Sequence, residues 1–530
     1  MKKISAILSP MVILMASTSL AQDSCIRRPS CEDMGYNKSV ADCAGKTTLK
    51  CPFNLDMVSC SASEAAIECD WGERLTVDNT CKKIENAIAF VIETTANNAS
   101  ITLTTNKTNI TVDWGDGTTE DISNTTNPSH SYAKVGQYEV VITGNVEHFC
   151  IRTCDSCYAI RILNIDLDSV ISYGHSYSSY GYCPSGKTPF GDCSKITGEI
   201  PNKLPPNLKE AEYLFYNCKN LYGDIPDLPN TLERGDHMFY QCENLSGDLP
   251  RLPNALSSAG YMFSGCKNLT GSIQNFPDNL SYASYMFNDC SNLTGTIPEL
   301  PGILSWATSM FYNCSKLEQI GFTKFPDTLT EAGSMFYNCS RLEGQIPSLA
   351  NTQITSGREM FYGCSYISGT APALPNTLTD GTKMFYSTGV SGHVPDLPTS
   401  LTSAEQMFTY SAITSIGDLP QGITDMGEMF NGCINLTSVG NLPSGLLYMD
   451  KAFANTKLTQ LPPNFADLTN LKNVRAAFSG CSKLTGTLPS FSTFPSINTY
   501  SSYYKGAFYE TKINDNPSDP WPAEAWQSPY

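Results

Sequence analysis

Five histidines, His130, His148, His175, His237 and His393, are the first place to look for chemistry in this 530-residue chain. None stands in an HExxH pair, the spacing that brings two imidazoles to one zinc ion. No GxSxG elbow and no phosphate-cradling GxxxxGK occurs either. Carboxylates are plentiful (Asp224, Asp227, Asp248, Glu299 and Asp396 among them), so a paired-carboxylate hydrolase is physically conceivable. These acids recur, however, where a repeat would place solvent-facing polar residues anyway. Cys154 and Cys157 form a CxxC, a spacing used in redox chemistry. No βαβ pattern surrounds it, so a bracing disulfide is the better reading. Asp113 and Asp116, in Asp-Trp-Gly-Asp-Gly, are weak calcium candidates, and Asp-Gly in a turn more often just makes the turn. No catalytic residue, resident metal or cofactor is expected. The chain reads as a non-enzyme.

The elements that hold these residues are set by a repeat. A Phe that follows Met, or Leu, Pro or Ala in variant copies, falls at 190, 215, 239, 263, 287, 311, 336, 361, 385, 408, 430, 453, 478 and 508. Fourteen copies, spaced mostly by 22–25 residues, mark a solenoid of the leucine-rich type. Each copy reads roughly MFxxCxxLxGxIPxLPxxLxxA. Leu280, Ala283 and Met286 advance in threes, which suits a short helical or 3₁₀ turn. Gly295 to Leu300 is apolar at intervals and bounded by proline, which suits a brief strand. One strand and one turn cannot bury their own apolar side, so stability must come from stacked neighbours.

Met310 to Leu317 (MFYNCSKL), a Pro-bearing strand and then TLTEAGSMF resemble the BspA-type bacterial leucine-rich repeat. The resemblance runs from about Phe190 to Ile513. It implies a surface or secreted protein, in a family with several members implicated in adhesion to host tissue or other microbes. The Thr-Gly-x-Ile-Pro of these copies departs from the usual family repeat towards the plant extracellular type.

Residues 1–21 read as a secretory signal peptide, with Lys2 and Lys3 before an apolar stretch that ends Ser-Leu-Ala. Losing those lysines takes the net charge from −17 to −19. Such a chain repels nucleic acid and anionic membrane. No later stretch could cross a bilayer, so the mature chain is expected to be exported, secreted or at the cell surface. Residues 22–84 form a cysteine-rich segment with too few large apolar residues for a core. Residues 85–148 contain short β-type runs such as Ala87 to Ile92 and Tyr138 to Ile142, the pattern of a small antiparallel sandwich. Asp113 to Gly117, His130-Ser131-Tyr132 and Gly136-Gln137-Tyr138 resemble the polycystic-kidney-disease (PKD) sandwich family, which implies a spacer or protein-contact module. Residues 149–189 should cap the solenoid, 190–513 form it, and 514–530, with Pro517, Pro520 and Pro522, read as a flexible tail. The fold class is mainly β.

The 21 cysteines divide in two. Cys25, Cys31, Cys43, Cys51, Cys60, Cys69 and Cys81 in the head, with Cys150, Cys154, Cys157 and Cys183 at the junction, are disulfide candidates. Cys193, Cys218, Cys242, Cys266, Cys290, Cys314, Cys339, Cys364, Cys433 and Cys481 each follow a marker Phe by three. Thr388, Ser411 and Thr456 take that place elsewhere, so the position wants a small donor to a backbone carbonyl. Side chains pointing the same way from adjacent coils seldom satisfy disulfide geometry. All ten are therefore expected to be reduced and buried.

Residues alternating with the buried Ile of each strand should share one outward surface. In the copies that align it comprises Asp224, Asp227, Asp248, Arg251, Asn275, Glu299, Gln345, Ser348, His393 and Asp396. Its excess of acid favours a basic or calcium-bridged partner. The expected function is adhesin-like binding of an extracellular protein or glycan, host-derived ones included. A self-assembling envelope or surface-layer component is the alternative, and a secreted hydrolase comes third.

Overall fold

The computed structural model describes residues 48–50, 56–58, 73–75 and 81–529, except 106, 108, 174–188, 191–192 and 498–499. The signal peptide and Cys25, Cys31, Cys43, Cys51, Cys60, Cys69 and Cys183 lie outside the described residues. Four short strands come first and pair as antiparallel hairpins: β1 (Thr48–Lys50) with β2 (Asp56–Val58), and β3 (Glu73–Leu75) with β4 (Cys81–Lys83).

A two-sheet sandwich follows. One sheet contains β5 (Ile88–Thr94), β7 (Ile110–Asp113), β8 (Thr119–Ile122), β10 (Gly136–Gly144) and β12 (Cys157–Asn164), in the order β12-β5-β10-β7-β8. The other contains β6 (Ala99–Thr104), β9 (Ser129–Tyr132), β11 (His148–Asp155) and β13 (Ser172–Tyr173), in the order β13-β11-β6-β9. The sandwich therefore runs past residue 148, where the sequence placed its end. β11 and β12 escaped notice because polar and cysteine residues interrupt their alternation, yet each completes a sheet against β6 or β5. Cys154 and Cys157 are disulfide-bonded across the tight link between them, and Cys150 is disulfide-bonded as well.

Both sheets lead straight into the solenoid. The Tyr173 amide of β13 donates to the Glu210 carbonyl at 2.8 Å. From there single parallel bridges link Glu210, Arg234, Ser258, Tyr282, Trp306 and Glu331, coil after coil. Beside β12, where Thr197 reaches the Ile160 carbonyl, begins a second parallel ladder of β14 (Thr197–Glu199), β15 (Asn220–Asp224) and β16 (Leu245–Ser246). Further stretches of this ladder recur as β17 (Gly295–Ile297) with β18 (Leu317–Ile320), and as β19 (Ser391–Val394), β20 (Ala412–Ile416) and β21 (Ser438–Val439). One apolar core extends from Ile88 to Ala525 without a break. The sandwich thus covers the open end of the first coil, which a solenoid requires.

The marker Phe side chains account for most of that core. Rings from Phe215 to Phe508 stack in an unbroken column, with centroids 5.3–6.0 Å apart and neighbouring planes within 18°. Phe190, the first marker, packs instead with Phe90, Phe149 and Tyr173 of the sandwich.

The backbone around each marker explains the advance in threes. In the Phe287 coil the amides of Ala283, Tyr285, Phe287 and Asp289 donate to the next coil at 2.8–3.0 Å. The intervening Met286, Asn288 and Cys290 amides donate three residues back within their own coil, at 3.0–3.2 Å. Tyr285 and Asp289 sit at φ +59° to make this alternation possible. Every amide from Tyr285 to Cys290 is thereby paired, as a buried backbone requires.

The cysteine position has the role its substitution by Thr and Ser implied. Cys290 Sγ donates to the Phe263 carbonyl of the preceding coil at 3.0 Å. The same bond, at 3.0–3.1 Å, recurs at Cys242, Cys266, Cys314, Cys339, Cys364, Cys433 and Cys481. Those eight are free and buried. The expectation of ten reduced thiols fails at the first two: Cys193 and Cys218 are bonded to each other, with Cα atoms 4.7 Å apart. That separation lies within disulfide range. Cys193 opens the array in a 3₁₀ turn (Cys193–Lys195), so it has no preceding repeat coil whose Phe carbonyl could accept its thiol. Burial pushes the Cys242 and Cys433 thiols up to about 12, which keeps them unreactive at neutral pH. Alkylating the denatured, unreduced protein should label the eight ladder cysteines and leave Cys193 and Cys218 unlabelled. Peptide mapping that finds Cys290 and Cys314 unlabelled would mean a cross-linked array.

The C-terminal tail is not a loose end. Trp521 and Ala525 are buried, and Ala523–Trp526 form a 3₁₀ turn. The Phe508 amide donates to Ala525 O at 2.9 Å, just as Phe287 donates to Met310 O in the next coil. The tail stands in for a missing coil, and prolines that exclude a regular element do not prevent it from covering an apolar end.

Candidate functional site

All ten outward residues expected on the strand side are solvent-exposed. They fall in two rows. Asp224, Asp248, Gln345 and His393 lie at or beside the strand ladder, while Asp227, Arg251, Asn275, Glu299, Ser348 and Asp396 follow the buried Ile, Leu or Val that closes each strand. Apolar neighbours such as Ile225, Leu249, Ile273, Ile297, Ile346 and Val394 are buried beneath them.

The first row is held along the solenoid axis. Ser246 Oγ donates to Asp224 Oδ1 at 3.3 Å, and Thr270 Oγ1 donates to Asp248 Oδ1 at 3.0 Å. His393 Nδ1 meets Ser415 Oγ at 2.9 Å. The glycine in the Gly-x-Ile-Pro stretch has a specific purpose here. Gly247 lies at φ +80°, and a Cβ on it would come 2.5 Å from Asp224 Oδ1. Only glycine allows the carboxylate of the previous coil to lie flat across it.

Further residues of the same rows were missed, Glu199 and Lys324 being the charged ones. Glu199 follows Phe190 by nine, the offset of Asp224 from Phe215, and its side chain lies over Gly223 as Asp224 lies over Gly247. That offset was available from the sequence. Lys324 is bridged to Ser348 and exposed, but an extra residue in its coil shifts it out of register.

The remaining chemistry-bearing residues are dispersed. Asp113 Oδ1 accepts the Gly115 amide at 3.0 Å, closing the turn after β7. Asp116 Oδ1 accepts the Thr118 amide at 3.0 Å, and its Oδ2 lies 2.8 Å from His130 Nε2. Burial raises the Asp116 pKa, but the His130 and Thr118 bonds outweigh that and leave it below the ordinary carboxylate value. His130 stacks on Trp114 at 4.9 Å, so the pair fastens the turn to the sandwich core. His148 is buried and its pKa is pushed down to about 4. His237 is sandwiched between Tyr213 and Tyr261, each 4.6 Å away. His175 lies outside the described residues. Among the described residues no three His, Cys, Asp or Glu side chains gather as a metal site.

The turn side presents a different surface. Tyr312, Tyr337, Tyr362 and Tyr386, each following its marker Phe, stack at 4.5–4.6 Å between centroids. Next to this row Asp289, Asn313 and Asn338, with Ser291, Ser315 and Ser340, line a shallow groove of about 440 Å³. The tyrosines eluded a fixed-offset reading because the position after the marker is Tyr in only half of the copies, while a separate stack of Tyr213, His237, Tyr261 and Tyr285 lies two residues before the markers.

A family model described as the BspA type leucine rich repeat region matches residues 186–294, 235–368, 357–485 and 402–516. The chain belongs to the BspA-type leucine-rich repeat family. No curated protein matches it. Among solved structures it is similar to a leucine-rich repeat protein from Bacteroides ovatus, at 18% identity and a TM-score of 0.35 over 70% of this chain and 88% of that one. It is also similar to a TDR receptor, at 18% identity and a TM-score of 0.24 over 66% and 69% of the two chains.

The BspA-type repeat also explains the Asn-Leu-Thr and Asn-Leu-Ser sequons. Asn244, Asn268 and Asn292 donate their side-chain amides to the Lys219, Glu243 and Lys267 carbonyls of the preceding coil at 2.7–3.0 Å. That nitrogen is the one a glycan would occupy, so these asparagines are inter-coil ties. Among the described residues no helix of this BspA-type protein is long and apolar enough to cross a membrane.

Proposed function

We propose that this protein is exported and acts at a cell surface as an adhesin-like binding protein, recognising a basic extracellular partner on the strand side of its solenoid. One observation carries the reading: ten residues of changing character, acids foremost, stand exposed in two rows above neighbours that stay apolar and buried in the same copies. Asp224, Asp227 and Asp248 gather three carboxylates within two adjacent coils, and Glu199 extends them into the coil before. Like charges brought together at a surface repel one another, and a cationic partner relieves that repulsion while gaining a faster approach. The PKD-like sandwich then serves as the capped base from which the rows are displayed.

The caps bear on the alternative of a self-assembling envelope component. Among the described residues the sandwich covers one end of the array and Trp521 with Ala525 covers the other, so neither described end coil is left open for a second copy to stack upon. Sizing the mature protein over a wide concentration range should give one monomeric species. Growth in mass with concentration would favour the assembly reading and count against recognition of a foreign partner.

A further inference from the structure

The polar groove on the turn side is unrelated to the acidic rows, and its lining is unusual for a protein-docking surface. Asp289, Asn313, Asn338, Ser291, Ser315, Ser340 and Lys267 line it. No apolar side chain lines it. Its two charged groups are already matched within the protein. Asn313 Nδ2 donates to Asp289 Oδ1 at 2.8 Å, and Lys267 Nζ donates to Glu243 Oε2 at 3.3 Å. The three serine hydroxyls make no hydrogen bond to another described residue. Alongside runs the row of Tyr312, Tyr337, Tyr362 and Tyr386. Their ring faces are taken up by one another, so what they offer is edges and phenol hydroxyls. Burial pushes the Tyr337 phenol up to about 12, which keeps that hydroxyl neutral.

We propose that this groove binds a linear, uncharged polysaccharide. The chemistry selects it over the other polymers. An extended peptide needs apolar pockets for its side chains or a free strand edge for its backbone, and this groove is built from turns and polar side chains. A nucleic acid or sulfated glycan would meet a molecule of net charge −17, with the lining Lys267 already paired to Glu243 and the adjoining Lys316 bonded to Asn292. A neutral polyol meets neither obstacle. It carries donors and acceptors on every unit, as the Asn, Ser and Tyr rows do. Amide, hydroxyl and phenol stand together in two adjacent coils, as Asn313, Ser315 and Tyr312 and as Asn338, Ser340 and Tyr337, about 4.8 Å apart, so successive units of one chain meet the same three groups twice. Weak contacts repeated along one ligand add through effective concentration. The site is separate from the acidic rows, so either reading can fail alone.

Native electrophoresis of the mature protein through gels cast with dextran, pullulan, laminarin or hydroxyethylcellulose tests this. At least one of these should retard the protein. Ser315→Gln with Ser340→Gln, which fills the groove, should weaken that retardation about tenfold, whereas Asp224→Lys with Asp227→Lys and Asp248→Lys should leave it intact. Ser315→Ala with Ser340→Ala removes the hydroxyls without adding bulk, and it carries the same expectation of weakened retardation if the glutamine pair misfolds. Migration unaffected by all four polymers would overturn the proposal. So would retardation that both serine pairs preserve, or that the lysine variant abolishes.

Discussion

Replacing Trp521 by alanine should unfold the last coils of the solenoid while leaving its first coils and the sandwich folded. Trp521 is 3% exposed and packs against Phe508, Phe491 and Phe494 at centroid distances of 5.0–5.4 Å. Its indole nitrogen donates to the Pro489 carbonyl at 3.1 Å. Removing it opens a void under the last ring of the phenylalanine column and leaves that carbonyl without its donor. Truncation of a buried tryptophan costs about 3–5 kcal/mol. Each coil is stabilised only by its neighbours, so the cost falls on the coils around Phe478 and Phe508 rather than on the whole molecule. Hydrogen exchange should then speed up at the Phe478 and Phe508 amides and stay slow at Phe239. A variant with undisturbed exchange at Phe508 would show that the tail does not act as a cap.

Phe311→Ala should produce the second large effect, in the middle of the array. Phe311 is fully buried and stacks on Phe287 at 5.8 Å and on Phe336 at 5.5 Å. Its loss interrupts the column on both sides, again at about 3–5 kcal/mol. Its backbone is also a tie: the Phe311 carbonyl accepts the Cys339 thiol at 3.1 Å, and its amide donates to Met335 O at 2.9 Å. A shift of the coil into the void would strain both bonds. Protection should fall in the coils of Phe287, Phe311 and Phe336, and the sandwich should keep its own. Uniform loss from sandwich to tail would mean that the core unfolds as one cooperative unit instead of coil by coil.

How much of this could be read beforehand depended on periodicity. The marker Phe recurs at a near-fixed interval, so the solenoid, the inward column and the donor role of the cysteine position were all legible. Cys, Thr and Ser share only size and a donor, and that was enough to identify the last of these. Where the period breaks, legibility went with it. Cys193 carries the same offset as the other ladder cysteines, and only its place in the first coil distinguishes it. Trp521 lies among prolines, where no hydrophobic period can be followed, although its burial is as complete as that of many core residues. β11 and β12 reach their partners β6 and β5 across distances in sequence that no local pattern records. Tyrosine is divided between two offsets from the marker Phe, one stack ending at Tyr285 and the other position being Tyr in only half of the copies, so neither reads as an unbroken row. The strand-side rows were recoverable because each is tied to a buried neighbour of fixed offset, and Lys324 fell out where one added residue shifted the count.

The most direct test of the recognition reading is binding by the charge-reversed strand face. Mature protein immobilised on a support should capture a basic partner from mucosal extract, and raising the salt concentration should release it, because exposed charges are screened within about 10 Å at 0.1 M. The variant with Asp224→Lys, Asp227→Lys and Asp248→Lys places all three changes on exposed side chains, so it should fold normally. Its affinity for the captured partner should fall at least tenfold, with most of its salt dependence gone. A folded triple variant that binds the partner as tightly as the natural protein, with the same response to salt, would contradict the assignment of recognition to this face.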